Sequence, residues 1–302
     1  MPSPLGRPSL APYAAYLQPP YEGDGLRVTW LGVSTLLFDD GEGAILVDGF
    51  FSRPGLLRCL GRIAPDERVV RACLARAGIT GLEAVVCAHA HYDHALDAPL
   101  VCRLTGARLV GSESTANVGR GGGLPEGRLV TPATGEPVAF GPFTVTLYES
   151  PHSPGDRFPG TVERPLVPPA RVRAWATGTS YSVHVRHRER GVLVHASANH
   201  TPGVLAGVRA ETVYLGIGAL GKQRAGFRSR YWEEVVAATG ARRVVPVHWD
   251  DFTRPLDRPL VPLPRIADDF GVSMDFLLDR AEAEGVEVAL PVAWRRTNPF
   301  AG

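Results

Sequence analysis

The chain has 302 residues, of which 44% are hydrophobic and 21% are charged, and its formal net charge is +1. This composition is typical of a folded globular protein and excludes a disordered chain. Near-neutral charge gives no electrostatic case for nucleic-acid binding, which normally shows as a clustered excess of Lys and Arg. No apolar stretch is long enough to span a membrane, and residues 1–20 lack the pattern of a secretory signal. We therefore expect a cytoplasmic protein with no membrane span and no nucleic-acid partner.

The first elements in chain order are an arm and a group of strands. Residues 1–25 are rich in proline, glycine and tyrosine, which predicts an extended N-terminal arm. A single domain is predicted over residues 26–302. Its first three strands are expected at 26–30, 34–38 and 44–48, where short apolar runs are separated by turn residues.

A loop and a helix come next. Residues 50–65 contain several Gly and Pro, and we expect a loop in which Phe50 and Phe51 are exposed. The helix that follows is capped by Asp66 and ended by Gly78, and its apolar residues have the i, i+3, i+4, i+7 spacing of one buried stripe. The four cysteines contain no C-x-x-C pair, so a thiolate zinc site is not expected.

The strand predicted at 85–88 ends in a dense run of polar side chains. His89, His91, Asp93 and His94 are four potential ligands within six residues. Imidazole and carboxylate groups bind zinc-like divalent ions, and the end of a buried strand can direct them into one small volume. A lone histidine is usually a core or surface residue with a satisfied hydrogen bond, but four such groups beside a buried strand would be costly without a compensating ion. The run therefore predicts a metal site.

Short strands and helices alternate after the motif. A helix is expected at 96–104, and strands at 137–140 and 143–148 lead to His152. The proline-rich stretch 153–171 predicts a long loop, which is either a wall of the substrate pocket or a surface insertion without a role. A hairpin is predicted at 179–195, a strand at 212–217 and a helix at 231–238. A strand at 243–247 then leads to His248, and a C-terminal helix is predicted at 274–285. This pattern fits an α/β protein, an αββα sandwich of two mixed β-sheets flanked by helices.

The run H-x-H-x-D-H at positions 89–94 resembles that of the metallo-β-lactamase-fold superfamily. The likeness extends over nearly the whole chain, because residues 30–35 and 45–48 resemble the opening strands of that fold and residues 247–252 resemble its last ligand segment. These flanks look most like the branch that holds the ascorbate-6-phosphate lactonases and the N-acylphosphatidylethanolamine phospholipase D enzymes. The resemblance implies the αββα sandwich predicted above.

The resemblance also implies two metal positions and their ligands. The ligands of the first ion would be His89, His91 and His152, and those of the second Asp93, His94 and His248. The implied cofactor is Zn²⁺, one or two ions per chain, with Mn²⁺ or Fe²⁺ as alternatives.

The resemblance also implies roles for two aspartates, Asp93 and Asp48, and for Asp48 an alternative stays open. Asp93 would be both a ligand and the catalytic base that orients the attacking water. Asp48 would accept a hydrogen bond from a ligand histidine, at the ring nitrogen that does not bind the metal. The alternative is a strand-end aspartate that caps a turn.

One departure from the family pattern concerns the carboxylate that bridges the two ions. The family typically has a Gly-Asp pair there, whereas this chain has Ser197-Ala198. Three explanations stay open: the second ion binds more weakly, only one ion binds, or Asn199, His195 or His200 partly substitutes. We hypothesise that the first position fills readily and the second only partly, because the repulsion between two dications lacks the compensating anion.

The expected function is a metal-dependent hydrolase that cleaves a small ester or lactone with a metal-activated hydroxide. The alternatives are a phosphodiesterase acting on a lipid-like or small organic phosphate, with Arg224, Arg228 and Arg230 as candidate phosphate ligands, and a non-catalytic member of the fold. The expected partner is a small-molecule substrate, and a homo-oligomer is possible.

The sequence also suggests residues that could line the substrate pocket and residues that could contact the last ligand, His248. An apolar pocket wall is predicted from four aromatic residues, which are Phe50, Phe51, Tyr181 and Trp249. Of Asp250 and Asp251, one could orient a ligand imidazole, and at least one is expected to be a surface charge.

Overall fold

The computed structural model of the chain describes residue 3 and residues 6–300. The strands of this part of the chain are β1 (Arg27–Trp30), β2 (Leu36–Asp39), β3 (Ala44–Val47), β4 (Arg62–Ile63), β5 (Ala84–Val86), β6 (Arg108–Val110), β7 (Leu129–Val130), β8 (Pro137–Phe140), β9 (Phe143–Glu149), β10 (Ala170–Arg171), β11 (Tyr181–His187), β12 (Arg190–His195), β13 (Thr212–Gly216), β14 (Arg243–Val247), β15 (Glu287–Val288) and β16 (Arg296–Thr297). The α-helices are α1 (Leu56–Cys59), α2 (Glu67–Ala77), α3 (Tyr92–Ala95), α4 (Ala98–Thr105), α5 (Glu113–Gly121), α6 (Ala225–Trp232) and α7 (Phe270–Glu284). The last turn of α6 continues as a π-helix, Glu233–Ala237.

Two mixed sheets of seven strands each form the centre of the molecule. Their strand orders are β16-β1-β2-β3-β5-β6-β7 and β15-β14-β13-β12-β11-β9-β8, and a separate two-stranded sheet pairs β10 with β4. Both large sheets contain parallel and antiparallel pairs. The predicted αββα sandwich is confirmed.

Alternation along the strands divides the core into two layers. Leu36 and Phe38 of β2 face the cluster between the sheets, whereas Leu37 faces the cluster that the first sheet shares with its covering helices. Ile45 and Leu46 of β3 separate in the same way. Because successive side chains of a strand point to opposite faces, strands buried on both faces read as unbroken apolar runs.

The strand order brings the polar segments of the sequence together. Strands β3 and β5 run parallel, with Val47 opposite Val86, so the residues after both strands emerge at one edge. In the second sheet β13 and β14 are also parallel and end side by side at Gly216 and Val247. The main chain joins the two sheets at this edge, since His248 N–H donates to the carbonyl oxygen of Val33 over 2.8 Å.

Helix α2 agrees with the predicted signals, and helix α5 was missed. The side chain of Asp66 accepts a hydrogen bond from Val69 N–H, and Gly78 ends α2 with a φ of 73°. For α5, the sequence predicts no helix between residues 104 and 137, because its Thr, Asn and Gly have low helix propensity. The structure shows that the Ser112 side chain caps α5 and that six of its residues are buried, so tertiary packing outweighs propensity.

The N-terminal arm is not extended throughout. Residues Ala11–Tyr16 form a 3₁₀ helix, and the arm is fixed to the C-terminal part of the chain. Gln18 N–H donates to Leu290 O over 2.9 Å, and the Tyr13 hydroxyl donates to Asp275 over 2.9 Å. The described part of the arm therefore packs against the C-terminal part of the chain. None of the helices in the described residues is both long and apolar enough to cross a membrane.

The loop at 153–171 packs against α5 instead of standing free. The side-chain amide of Asn117 donates to Val162 O over 2.8 Å, and Leu166 N–H donates to Asn117 O over 3.0 Å. The last two residues of the predicted loop are part of β10. The middle and the end of the segment are thus held by hydrogen bonds to other elements.

Candidate metal centre

The motif histidines lie where a buried strand turns into a short helix. Strand β5 is fully buried, and α3 begins directly after His91. Because the chain turns between His89 and His94, side chains of successive residues point into the same volume. All four motif residues are at most 8% exposed.

The first group of potential ligands contains three imidazoles. One ring nitrogen from each of His89, His91 and His152 lies within 4.8 Å of the others. His89 Nε2 and His91 Nδ1 are 3.1 Å apart. His152 is delivered by the segment after β9, and its Nδ1 lies 3.0 Å from Ser153 O, which leaves Nε2 free for the group. These three residues could hold one ion.

The second group is adjacent and contains the carboxylate. Asp93, His94 and His248 place one ligand atom each within 4.8 Å of one another. Asp93 Oδ2 is 3.5 Å from His94 Nε2 and 3.4 Å from His248 Nε2. The rings of His89 and His94 have centroids 3.8 Å apart, so the two groups form one centre. The structure thus brings together all six predicted ligands.

Burial and neighbouring charges favour the protonation states that ligands require at His89, His152 and Asp93, whereas the pKa of His94 is shifted the other way. Burial, with the nearby His94 and His91, lowers the pKa of His89. Burial also lowers the pKa of His152 to about 4. Burial opposes the ionisation of Asp93, but His94 and His248 outweigh it and lower the pKa of this carboxyl. Neutral imidazoles beside an ionised carboxylate are the forms that bind a cation.

The donor set fits a zinc-type divalent ion. His94 Nε2 is buried and has no hydrogen-bond partner, although it points toward Asp93 and His248. A buried ring nitrogen without a partner is unfavourable, and a cation at this position would satisfy it. Three protein ligands at each position also leave room for water or substrate.

Asp48 contacts a ligand histidine and does not act as a simple turn cap. Its Oδ2 lies 2.7 Å from His94 Nδ1 and accepts from the Ser34 hydroxyl over 2.5 Å, while Oδ1 accepts from Ala88 N–H over 2.8 Å. Burial would lower the pKa of His94, but the carboxylates of Asp48 and Asp93 raise it. These contacts fix the ring so that Nε2 faces the second group.

We expect Asp48→Asn to lower the zinc affinity of the second group by roughly 10–100-fold, because the ring of His94 loses its anionic partner. Competition with a chromophoric chelator measures this affinity directly. Asp39→Asn is a suitable control, since Asp39 is a strand carboxylate that pairs with Arg27. An unchanged affinity in Asp48→Asn would show that the ring is held by packing alone.

Asp156 is a site residue that the sequence did not reveal. Its carboxylate accepts a hydrogen bond from the Thr177 hydroxyl and lies 3.3 Å from His91 Nε2, the ring nitrogen directed away from the first group. Thr177 Oγ1 is itself 3.0 Å from the same nitrogen. Asp156 lies in the proline-rich loop, where no periodicity or motif distinguishes it, so only the folded chain shows this contact.

Asp250 and Asp251 are both buried, so the prediction that at least one is a surface charge was wrong. Neither side chain has a hydrogen bond to an imidazole in the described residues. Asp250 accepts from Val33 N–H over 2.7 Å and pairs with Arg53 over 2.7 Å, and both charged side chains are 0% exposed. Asp251 pairs instead with Arg7 over 2.6 Å. Because Val33 also accepts from His248 N–H, Asp250 positions the ligand histidine through the main chain.

Asp250→Asn is expected to lower the free energy of unfolding by about 3–5 kcal/mol, because it leaves the guanidinium of Arg53 buried without its counterion. Urea denaturation of the metal-free chain measures the loss. The matched variant Asp251→Asn should lose less, since the side chain of Arg7 is 33% exposed and keeps its contact with water. Equal losses would show that burial of the Arg53 pair has no special weight.

The segment expected to supply the bridging carboxylate is engaged elsewhere. Ala198 N–H donates to the Ser153 hydroxyl over 2.7 Å, and the Asn199 side-chain amide donates to His152 O over 2.7 Å. Both ring nitrogens of His195 have hydrogen-bond partners, and the ring of His200 packs on Phe227. Within the described residues, neither group contains a side chain from this segment.

The four aromatic residues predicted to line an apolar pocket belong to the core. Phe50 and Phe51 are 0% exposed, so their predicted exposure was also wrong. Tyr181 and Trp249 are buried as well. Phe51 N–H donates to Asp97 Oδ2 over 2.7 Å, which holds the start of the 50–65 segment against α4. The four side chains are divided between the two core clusters, so they do not form one pocket wall.

Comparison with known proteins identifies the family. Residues 28–271 match the metallo-beta-lactamase superfamily, and the chain belongs to this superfamily. The uncharacterized protein Rv0906 of Mycobacterium tuberculosis is 27% identical over 295 residues, which cover 92% of this chain and 71% of that protein. The resemblance drawn from the motif is thus confirmed for the superfamily, and the lactonase and phospholipase D branch stays a prediction.

Solved structures share the fold at low identity. Igni18, a metallo hydrolase of Ignicoccus hospitalis, is 16% identical with a TM-score of 0.57, and the match covers 90% of this chain and 97% of that chain. CmlA, a diiron beta-hydroxylase of Streptomyces venezuelae, is also 16% identical with a TM-score of 0.57, covering 92% of this chain and 54% of that one. The fold therefore occurs in proteins with more than one kind of reaction.

Proposed function

We propose that the chain is a metal-dependent hydrolase that cleaves a small ester or lactone. The observation that carries the proposal is the pair of adjacent ligand groups, each with three side chains, joined by the contact between His89 and His94. A closed structural site would use four protein ligands, whereas three leave an open position for reaction.

We assign the first ion to one set of ligands and the second to the other. The sets are His89, His91 and His152, and Asp93, His94 and His248. Zinc suits this mixture of imidazole and carboxylate, with one or two ions per chain, and Mn²⁺ or Fe²⁺ are the alternatives. When bound, such an ion polarises the substrate oxygen and lowers the pKa of water at the site.

Asp93 is the catalytic residue of the proposal. Its side chain is 11% exposed and its carboxylate is kept ionised by His94 and His248, so it can accept a hydrogen bond from the attacking water and take its proton at Oδ2. If the second position fills only partly, the base role of Asp93 would outweigh its role as a ligand. Asp48 and Asp156 support the reaction indirectly, because each holds one ligand ring in orientation.

The choice of ester or lactone over phosphodiester rests on the arginines, because the flanks at 30–35 and 247–252 resemble a branch that holds both lactonases and phospholipase D enzymes and do not separate the two classes. The arginines considered for phosphate binding lie on or next to α6, and Arg228 donates to Gln223 O over 2.8 Å while its guanidinium lies on the ring of Phe276. This guanidinium is committed to the protein and does not favour a phosphate pocket.

The test compares substrate classes with one variant. Purified chain reconstituted with zinc is assayed against a panel of lactones and aryl esters and against an aryl phosphodiester, beside Asp93→Asn. We expect turnover of a lactone or ester that falls by roughly 10²–10⁴-fold in Asp93→Asn. Preferred turnover of the phosphodiester would reassign the substrate class. Metal binding without turnover of any class would favour a non-catalytic member of the fold.

A further inference from the structure

An exposed apolar stripe lies on helix α1, outside the metal centre. Leu56, Leu57 and Leu60 are 70%, 84% and 78% exposed. Residues three and four positions apart are neighbours on a helix, so these side chains form one stripe. The other side of the helix faces the protein, where Cys59 Sγ donates to Pro54 O over 3.4 Å. Large apolar side chains grouped in contact with water mark an interaction surface.

Arginines lie beside this stripe, and acidic residues are absent from the same segments. Arg58 and Arg62 are exposed, and Arg62 is the strand partner of the exposed Arg171 in the β4–β10 pair. Residues 53–65 and 164–176 contain no Asp or Glu. Directly opposite residues of a strand pair project to the same side, and like charges there are unfavourable unless an anion is shared between them. The surface is therefore complementary to negative charge.

A second segment adds apolar area to this surface. Val167 is 66% exposed and lies four positions before Arg171. The Arg62 guanidinium donates to Pro169 O over 3.5 Å, which ties the two segments together. Leucines and a valine beside arginines thus combine an apolar surface with a positive one.

We propose that this basic apolar surface, formed by Leu56, Leu57, Leu60, Arg58, Arg62 and Arg171, docks on anionic phospholipid bilayers. The leucines insert among the acyl chains, and the guanidinium groups bind headgroup phosphates, which they match in geometry and charge. A protein partner is less well matched, because protein interfaces are enriched in aromatic residues and these six include none. A second copy of the chain is disfavoured too, since a two-fold contact would place the same arginines against each other.

Both segments that form the surface begin at the metal centre. The stretch at 50–65 follows Asp48 and Gly49, and the stretch at 153–176 follows His152. A docked bilayer would lie along the segments that lead into the site. The proposal does not rest on the hydrolytic function, because docking is measured without turnover.

The experiment is co-sedimentation of the full chain with vesicles of phosphatidylcholine alone and of phosphatidylcholine mixed with phosphatidylglycerol. We expect binding to the mixed vesicles and little to phosphatidylcholine. Arg58→Gln combined with Arg62→Gln should lower the partition coefficient roughly 25-fold, since each arginine near an anionic surface contributes about fivefold. Leu56→Ser, Leu57→Ser and Leu60→Ser combined should lower it at least tenfold, on the order expected for losing inserted apolar area.

Matched controls use exposed residues of the same types elsewhere. Arg209→Gln combined with Arg242→Gln removes the same charge from the far end of the second sheet, and Ile266→Ser removes an aliphatic side chain that is 66% exposed. Both should bind as the wild type does. The proposal is overturned if the wild type does not bind mixed vesicles, if the leucine variant keeps full binding, or if the controls lose as much. Self-association abolished by the leucine variant, without vesicle binding, would assign the surface to a second copy.

Discussion

Replacement of His91 by alanine is expected to lower kcat/KM on the order of 10³-fold or more and to remove the ion of the first group, while the chain stays folded. A catalytic metal supplies several kcal/mol of transition-state stabilisation, and its loss leaves only positioning by the remaining residues. The fold should survive because the αββα core is built from the apolar clusters of both sheets and does not include the ligands. Elemental mass spectrometry, steady-state kinetics on the best substrate of the panel and circular dichroism measure the three quantities.

The control for His91→Ala is His184→Gln. His184 is equally buried, and its Nε2 lies 3.0 Å from Arg209 O, so glutamine can keep a hydrogen bond there. It belongs to neither ligand group, and the variant should keep wild-type metal content and rate. If His91→Ala retained both its metal and its rate, the first group as assigned would be wrong.

Titration of the metal-free chain with zinc is expected to show one tight ion and a second that binds at least about tenfold more weakly. The reason is the missing anion between the two positions: the segment at 197–200 gives Ala198 where a carboxylate would offset the repulsion of two dications. His248→Ala should abolish the weak step and leave the tight one unchanged, because His248 belongs only to the second group. Isothermal titration calorimetry separates the two steps.

Ala198→Asp tests the same idea by adding the absent group. Ala198 is 1% exposed and is held next to the first group by its hydrogen bond to Ser153. The new carboxylate should strengthen the second step roughly tenfold or more through its charge, although its burial in the metal-free chain should also lower the free energy of unfolding. Equal and tight binding of two ions by the unaltered chain would refute the hypothesis of a depleted second position.

The predictions for Phe50, Phe51, Asp250 and Asp251 show which structural features a local sequence pattern cannot predict. Phe50 and Phe51 follow a strand and precede a Gly- and Pro-containing segment, which is the pattern of a surface loop. Both side chains are nevertheless buried, and Phe51 N–H donates to the carboxylate of Asp97, which is distant in the sequence. Asp250 and Asp251 follow a strand in the same way and read as loop charges. Their partners Arg53 and Arg7 lie in the N-terminal part of the chain, so no local window of sequence contains either ion pair.

Local sequence by itself predicted the sandwich fold and the ligands of the motif, and the family resemblance carried by these residues implied the full set of six candidate ligands. Period-two apolar runs, helix caps and the motif at 89–94 act over a few residues, and His152 and His248 follow strands of their own. Only the tertiary structure decided which groups hold those ligands in place. Asp156 reaches His91 from a loop without periodicity, and Asp250 accepts from Val33 across 217 positions of sequence. Such contacts depend on which strands become neighbours in the two sheets, and that is a property of the whole packed chain.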